Sequence, residues 1–183
     1  MRLHDYAASA NCFKVRLLVA QLVIEVEPGR FLPESGAILV YLAAGTPLLP
    51  EDALERAEVV RWLLYEQTAV VPAIGGLRFR LLTGRLDAGD PEVARRRAAG
   101  EEVLELLERH LSTRDFLVAG GYSVADIAVY GYVHVADEAD YDLGGFPAVT
   151  AWLSRVAAQP GYMNDLEPYP PNARPGAGRS MYD

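Results

Sequence analysis

The sequence has one cysteine, Cys12, in 183 residues. One thiol cannot form an intramolecular disulfide or supply a zinc site that needs several cysteines, so we expect no structural metal. Low cysteine content is typical of a reducing compartment, which favours a cytoplasmic protein. The chain also lacks an apolar run of about 20 residues and lacks a signal-peptide pattern at its N-terminus. We therefore expect no membrane partner.

Positive charge is also scarce, since 17 basic residues stand against 25 acidic ones and give a net charge of −8. A surface of this sign repels nucleic-acid phosphates, so we expect no nucleic-acid partner. The one basic cluster, Arg95 to Arg97, follows Glu92 and is predicted to be a solvated helix face with acidic partners. Hydrophobic residues make up 51% of the chain, which is an ordinary globular composition.

Residues 1–44 mix strand and helix patterns. Residues 2–6 predict a first strand, and apolar residues recur at helical spacing over residues 11–22. Residues 23–32 are typical of a hairpin, because two short apolar runs flank a turn with proline and glycine. A further helix is predicted to begin at Ser35 as its capping residue and to end at Ala43.

Helical patterns dominate the rest of the chain. Residues 45–51 predict a linker, and residues 52–163 predict an all-helical domain. Helices are expected to begin at Asp52, Asp90, Ser123 and Pro147, where capping residues or proline precede helical repeats. The first of these should be interrupted near Pro72 and Gly75, and the tail, residues 164–183, should lie extended on the surface. Ser123 and Asp126 form a capping box, whose role is in folding.

Four pieces of the sequence together resemble the cytosolic glutathione transferases. They are residues 6–16 with their Ala-Ala-Ser-Ala-Asn-Cys run, Glu-Ser-Gly-Ala-Ile at 34–38, the linker from Gly45 to Pro50, and the capping box of the helical half. The resemblance implies an α/β thioredoxin-like N-terminal domain at residues 1–44 followed by an all-α C-terminal bundle. It also implies glutathione as cosubstrate, a small hydrophobic electrophile, and usually a homodimer.

Glu34 and Ser35 are the predicted binding residues for the γ-glutamyl end of glutathione. A helix N-terminus suits a carboxylate, and the carboxylate of Glu34 suits an ammonium group. Without the resemblance, the same two residues would be explained as ordinary helix-start residues.

Ser9, Asn11 and Cys12 are the candidates for activating the glutathione thiol. A thiolate is the nucleophile, so a hydrogen-bond donor that lowers the thiol pKa raises the reactive fraction. Ser9 ranks first because serine-type relatives place this donor there, and Asn11 ranks second. Cys12 ranks third: it would form a mixed disulfide in thiol-disulfide exchange, although a buried apolar role also explains it. His134 is expected to be packed or partly exposed. Trp62 lies on the helix that borders the electrophile cleft in the family it resembles, and core packing explains it equally well, so we assign neither residue a catalytic role.

The N-terminal half is too short for the implied fold. The predicted helix runs directly from Leu22 into the strand that begins at Val23, yet both should point the same way beside the first strand. To begin the strand at the correct end, the chain would have to return along the helix length of about 18 Å, and one peptide link spans only about 3.8 Å. We therefore expect that roughly 30 residues, a strand and a helix with their loops, are missing between Leu22 and Val23. An intact mass equal to that of 183 residues would contradict this expectation.

A short N-terminal half, if real, would favour a different function. The chain would then be a non-catalytic protein with a glutathione-transferase-like fold and a binding or regulatory role. Calorimetry discriminates the two cases, because the non-catalytic protein would bind no glutathione at millimolar concentration.

Overall fold

The computed structural model describes residues 13–15, 17 and 32–175. The predicted strands at 2–6 and 23–32 and the Leu22–Val23 junction lie outside them, apart from residue 32. The described part of the chain is helical, with one isolated bridge between Val118 and Gly121. Its α-helices are α1 (Ser35–Ala43), α2 (Ala53–Tyr65), α3 (Gly76–Leu82), α4 (Pro91–Leu111), α5 (Val124–Val133) and α6 (Pro147–Ala157).

The four predicted helix starts are confirmed, because local hydrogen bonds or proline fix each of them. Asp52 accepts from the amides of Leu54 and Glu55 at the start of α2, and Asp90 accepts from Glu92 N ahead of Pro91. The capping box opens α5, and proline is the first residue of α6.

The predicted interruption near Pro72 takes the form of a π-helical segment, Glu66–Gly75, between α2 and α3. Pro72 lacks the N–H that an α-helix interior requires, and its ring crowds the preceding turn. Gly75 ends the segment where a Cβ would overlap the Tyr132 ring of α5. We therefore attribute the wider turns of the π-helical segment to Pro72 and to Gly75, against which Tyr132 of α5 packs.

The core lies between the long helices and α5, which is buried along its whole length. Trp62 and Trp152 are fully buried, and each indole N–H has a partner: Leu117 O at 3.0 Å for Trp62 and Asp126 Oδ1 at 2.9 Å for Trp152. The linker joins the same core, because Leu49 is buried and Leu48 O accepts from Val124 N at 3.0 Å.

The tail packs along α3. Tyr169 lies edge-on to Phe79 with ring centroids 5.3 Å apart, and its hydroxyl accepts from Arg78 at 3.2 Å. Arg85 donates to the carbonyl of Ala173, which is fully buried within a short 3-10 turn, Pro171–Ala173. Over residues 164–175, the part of the tail that the structure describes, the chain forms no α-helix, and aromatic and arginine contacts hold it against the helical domain.

Among the residues that the structure describes, no helix is long and apolar enough to cross a bilayer. Within the same ranges, no group of three or more His, Cys, Asp or Glu side chains is arranged to hold a metal ion.

Candidate functional site

Glu34 and Ser35, the predicted binding residues for the γ-glutamyl end of glutathione, lie at the start of α1. Their binding role stays a prediction. Ser35 is the first residue of the helix and Glu34 is the residue before it, so the prediction that Ser35 is the cap is wrong by one position. Glu34 has φ 69° and ψ 116°, a conformation that costs energy for any residue with a Cβ. Strain of this kind is concentrated at functional sites.

The first turn of α1 suits an anion. Ile38 N donates to Glu34 O at 2.9 Å, which closes the first turn. The backbone N–H groups of Gly36 and Ala37 precede this bond and have no acceptor inside the helix. Because the helix dipole is positive at this end, a carboxylate is stabilised here.

A cavity of about 520 Å³ lies beside this helix start, between α1 and α2. Its wall is apolar except for Glu34 and Gln67. The lining residues are Glu34, Gly36, Ala37, Val40, Tyr41, Val60, Leu63, Leu64 and Gln67. Tyr41, Val60 and Leu64 are exposed to 49%, 42% and 61%, so the cavity opens onto an uncovered apolar surface.

A buried ion pair lies beside this cavity, because its acidic member, Glu66, directly precedes the lining residue Gln67. Lys14 Nζ is 2.6 Å from Glu66 Oε1, and both side chains are fully buried. Gln67 donates to the other oxygen, Glu66 Oε2, at 2.9 Å. Burial raises the pKa of Glu66, while the Lys14 ammonium acts in the opposite direction. This pair was not predicted, because nothing in the sequence indicates that residues 14 and 66 meet.

His134 is packed, as predicted. Its ring stacks on Phe13 with centroids 4.9 Å apart and on Tyr130 at 4.7 Å. Nδ1 donates to Tyr130 O at 2.7 Å, because a carbonyl only accepts, and Nε2 has no partner among the described residues. Burial lowers the pKa of His134 and therefore favours the neutral ring. Trp62 is fully buried, so core packing is the explanation that the structure supports.

The arginine cluster is confirmed as a helix face with acidic partners. Arg95 and Arg96 pair with Glu92 at 2.6 and 2.7 Å, and Arg97 pairs with Asp140 at 3.0 Å. Arg95, which has the larger effect, and Arg96 hold the pKa of Glu92 down to about 2. The cluster therefore leaves little unbalanced positive charge for a phosphate.

Ser9, Asn11 and Cys12 lie outside the described residues, so their roles stay predictions. The described helical residues begin directly after them, at Phe13. Of the five predicted site residues, the structure thus places Glu34 and Ser35.

Comparison with known proteins gives the family of this architecture. The model of the family described as glutathione S-transferase, C-terminal domain, matches residues 65–160. The crystal structure of a possible glutathione S-transferase from Rhodopseudomonas palustris is 37% identical with a TM-score of 0.83, and the match covers 89% of this chain and 96% of that one.

Two further relatives differ in what their names describe. A Burkholderia graminis glutathione transferase, solved with two glutathione molecules per subunit, is 25% identical with a TM-score of 0.71, covering 84% of this chain and 82% of that one. The disulfide-bond oxidoreductase YfcG of Escherichia coli is 29% identical over 133 residues, which is 69% of this chain and 59% of the relative. The chain spans little more than half the length of the first curated relatives it matches.

Proposed function

The chain belongs to the glutathione S-transferase family, and we propose that it transfers the thiolate of glutathione to a small hydrophobic electrophile. The observation that carries the proposal is the start of α1, where Glu34 and an anion-stabilising helix N-terminus border one cavity. The γ-glutamyl carboxylate of glutathione would accept from the amides of the first turn, and its ammonium group would pair with Glu34.

The reaction needs a thiolate at neutral pH. A free thiol has a pKa of about 8.5, so most of it is protonated unless a donor stabilises the anion. In our proposal Ser9 donates its hydroxyl hydrogen to the glutathione sulfur, with Asn11 as the second candidate. The thiol proton leaves to solvent, the sulfur forms a bond to the electrophilic carbon, and the leaving group departs with its electron pair.

The protein is further proposed to be a cytoplasmic homodimer with a thioredoxin-like domain at residues 1–44. The apolar surface around the α1–α2 cavity supports the dimer, because exposed Tyr41, Val60 and Leu64 form one patch that a second copy would cover. The helical domain over residues 52–163, which the family model largely covers, supports the two-domain arrangement.

Two single substitutions distinguish the candidate thiol activators. In the transferase proposal, Ser9→Ala lowers turnover of glutathione with a chloronitroarene by about 100- to 1,000-fold, because removing one donor to a developing or stored anion costs roughly 2.7 to 4 kcal/mol. Cys12→Ser serves as the matched variant, since it changes a neighbouring position by one atom, and it should keep turnover near that of the wild type. A fully active Ser9→Ala protein would exclude Ser9 from this role.

Thiol-disulfide exchange through Cys12 is the second candidate function. It is favoured by the likeness to two proteins named disulfide-bond oxidoreductases. In this case Cys12 would attack a glutathione-containing disulfide, form a mixed disulfide and release the other thiol. The same two variants then give the reverse result, because Cys12→Ser abolishes reduction of a disulfide substrate and Ser9→Ala leaves much of it.

A further inference from the structure

Two adjacent side chains, Phe13 and Lys14, pack the helical residues 13–15 and 17 against the helical domain. Phe13 and Lys14 are both fully buried. Phe13 stacks on His134 of the α5 end, and Lys14 pairs with Glu66 at the start of the π-helical segment. Adjacent residues point about 100° apart around a helix, so the two contacts together fix both its position and its rotation.

The Lys14–Glu66 pair is poorly suited to a purely stabilising role. Taking two charges out of water carries a desolvation cost that their attraction often fails to offset, so apolar residues of similar volume often give equal or greater stability. Unlike an apolar contact, a hydrogen-bonded ion pair fixes both the distance and the direction between the two groups that form it. Here it joins elements 52 residues apart in the chain.

Both ends of the pair are held by further contacts. Gln67 fixes the second oxygen of Glu66, and the Lys14 ammonium lies 5.2 Å from the centre of the Tyr132 ring. Tyr132 is itself seated against Gly75, at the other end of the π-helical segment. The ion pair therefore has one geometry, set by residues on two elements of the helical domain.

We propose that Lys14 and Glu66 are positioning residues for the glutathione reaction. They hold the helix that directly follows Ser9, Asn11 and Cys12 at a fixed rotation against the π-helical segment. This inference rests on the proposed function. It predicts an effect on kcat rather than on the KM for glutathione, because Glu34 and Ser35, the proposed γ-glutamyl residues, belong to α1.

The decisive variant removes both charges and keeps the volume, Lys14→Met with Glu66→Met. We expect it to fold with nearly the wild-type thermal midpoint and to lower kcat by about 10- to 100-fold, since small misplacements of reacting groups cost this much. The KM for glutathione should change less than about threefold. As a control, Glu58→Met with Arg61→Met removes an exposed pair of 2.8 Å on α2 and should leave kcat unchanged.

A second variant keeps the test decisive where the double substitution does not fold. Glu66→Asp retains the charge but shortens the arm by one methylene, and it should lower kcat about fivefold at constant KM. Wild-type kcat in either folded variant overturns the proposal, and so does a loss of activity that only follows the folded fraction. A wild-type protein without glutathione turnover removes the proposed function and this inference with it, whereas an active wild type with equally active variants removes this inference alone.

Discussion

Asp126 is the residue on which the hydrogen bonds at the base of α5 converge. Its carboxylate accepts from the backbone amides of Leu117 and Ser123, from the Ser123 hydroxyl and from the Trp152 indole. Burial raises the pKa of this carboxyl from 3.8 to about 6, although every one of these donors favours the ionised form. One side chain thus joins a helix start, a loop and the core tryptophan of α6.

Asp126→Asn is expected to destabilise the protein by about 1 to 3 kcal/mol at pH 7. The new amide group turns N–H donors toward Ser123 N, which then loses its acceptor. Because the pKa of Asp126 is higher in the folded state than in the unfolded state, protonation of this carboxyl stabilises the folded protein. The contribution is full below about pH 4 and is lost as the pH rises through 6. The difference in free energy of unfolding between wild type and variant should therefore be about 1 kcal/mol larger at pH 5 than at pH 7.

Urea unfolding of both proteins at the two pH values measures this difference. Because all other titrating groups are shared, they cancel between wild type and variant. A stability gap that is the same at pH 5 and pH 7 would contradict the raised pKa.

At the level of elements, the sequence predicts where helices begin because the signals are local. Asp52, Asp90, Ser123 and Pro147 each act within one turn, on backbone groups that the chain itself places nearby. The interruption at Pro72 was predictable for the same reason.

The form of that interruption was not predictable, because it depends on contacts between distant residues. The π-helical segment fits its surroundings through Gly75 against Tyr132 and through Glu66 against Lys14. Periodicity describes which face of a helix is apolar, but it does not say which charged residue on one element will meet another. The candidate site shows the same division: the motif at Glu34 and Ser35 was visible in the sequence, whereas the cavity and the ion pair were not.

At the level of the whole molecule, the apolar patch beside the proposed glutathione site bears on assembly. Wild-type protein is expected to sediment at twice the monomer mass, and Leu64→Lys should shift it toward the monomer by placing a charge where a second copy packs. Leu82→Lys is the matched control, because Leu82 is 42% exposed on α3 and does not line the cavity. A wild type that sediments as a monomer would contradict the proposed dimer.

We propose that this chain uses glutathione as a nucleophile, and steady-state turnover of the wild-type protein with glutathione and a chloronitroarene is the measurement that decides this. We predict a conjugation rate that saturates with glutathione and far exceeds the uncatalysed rate. Absence of turnover, together with no heat of glutathione binding at millimolar concentration, would contradict it and favour a non-catalytic binding protein.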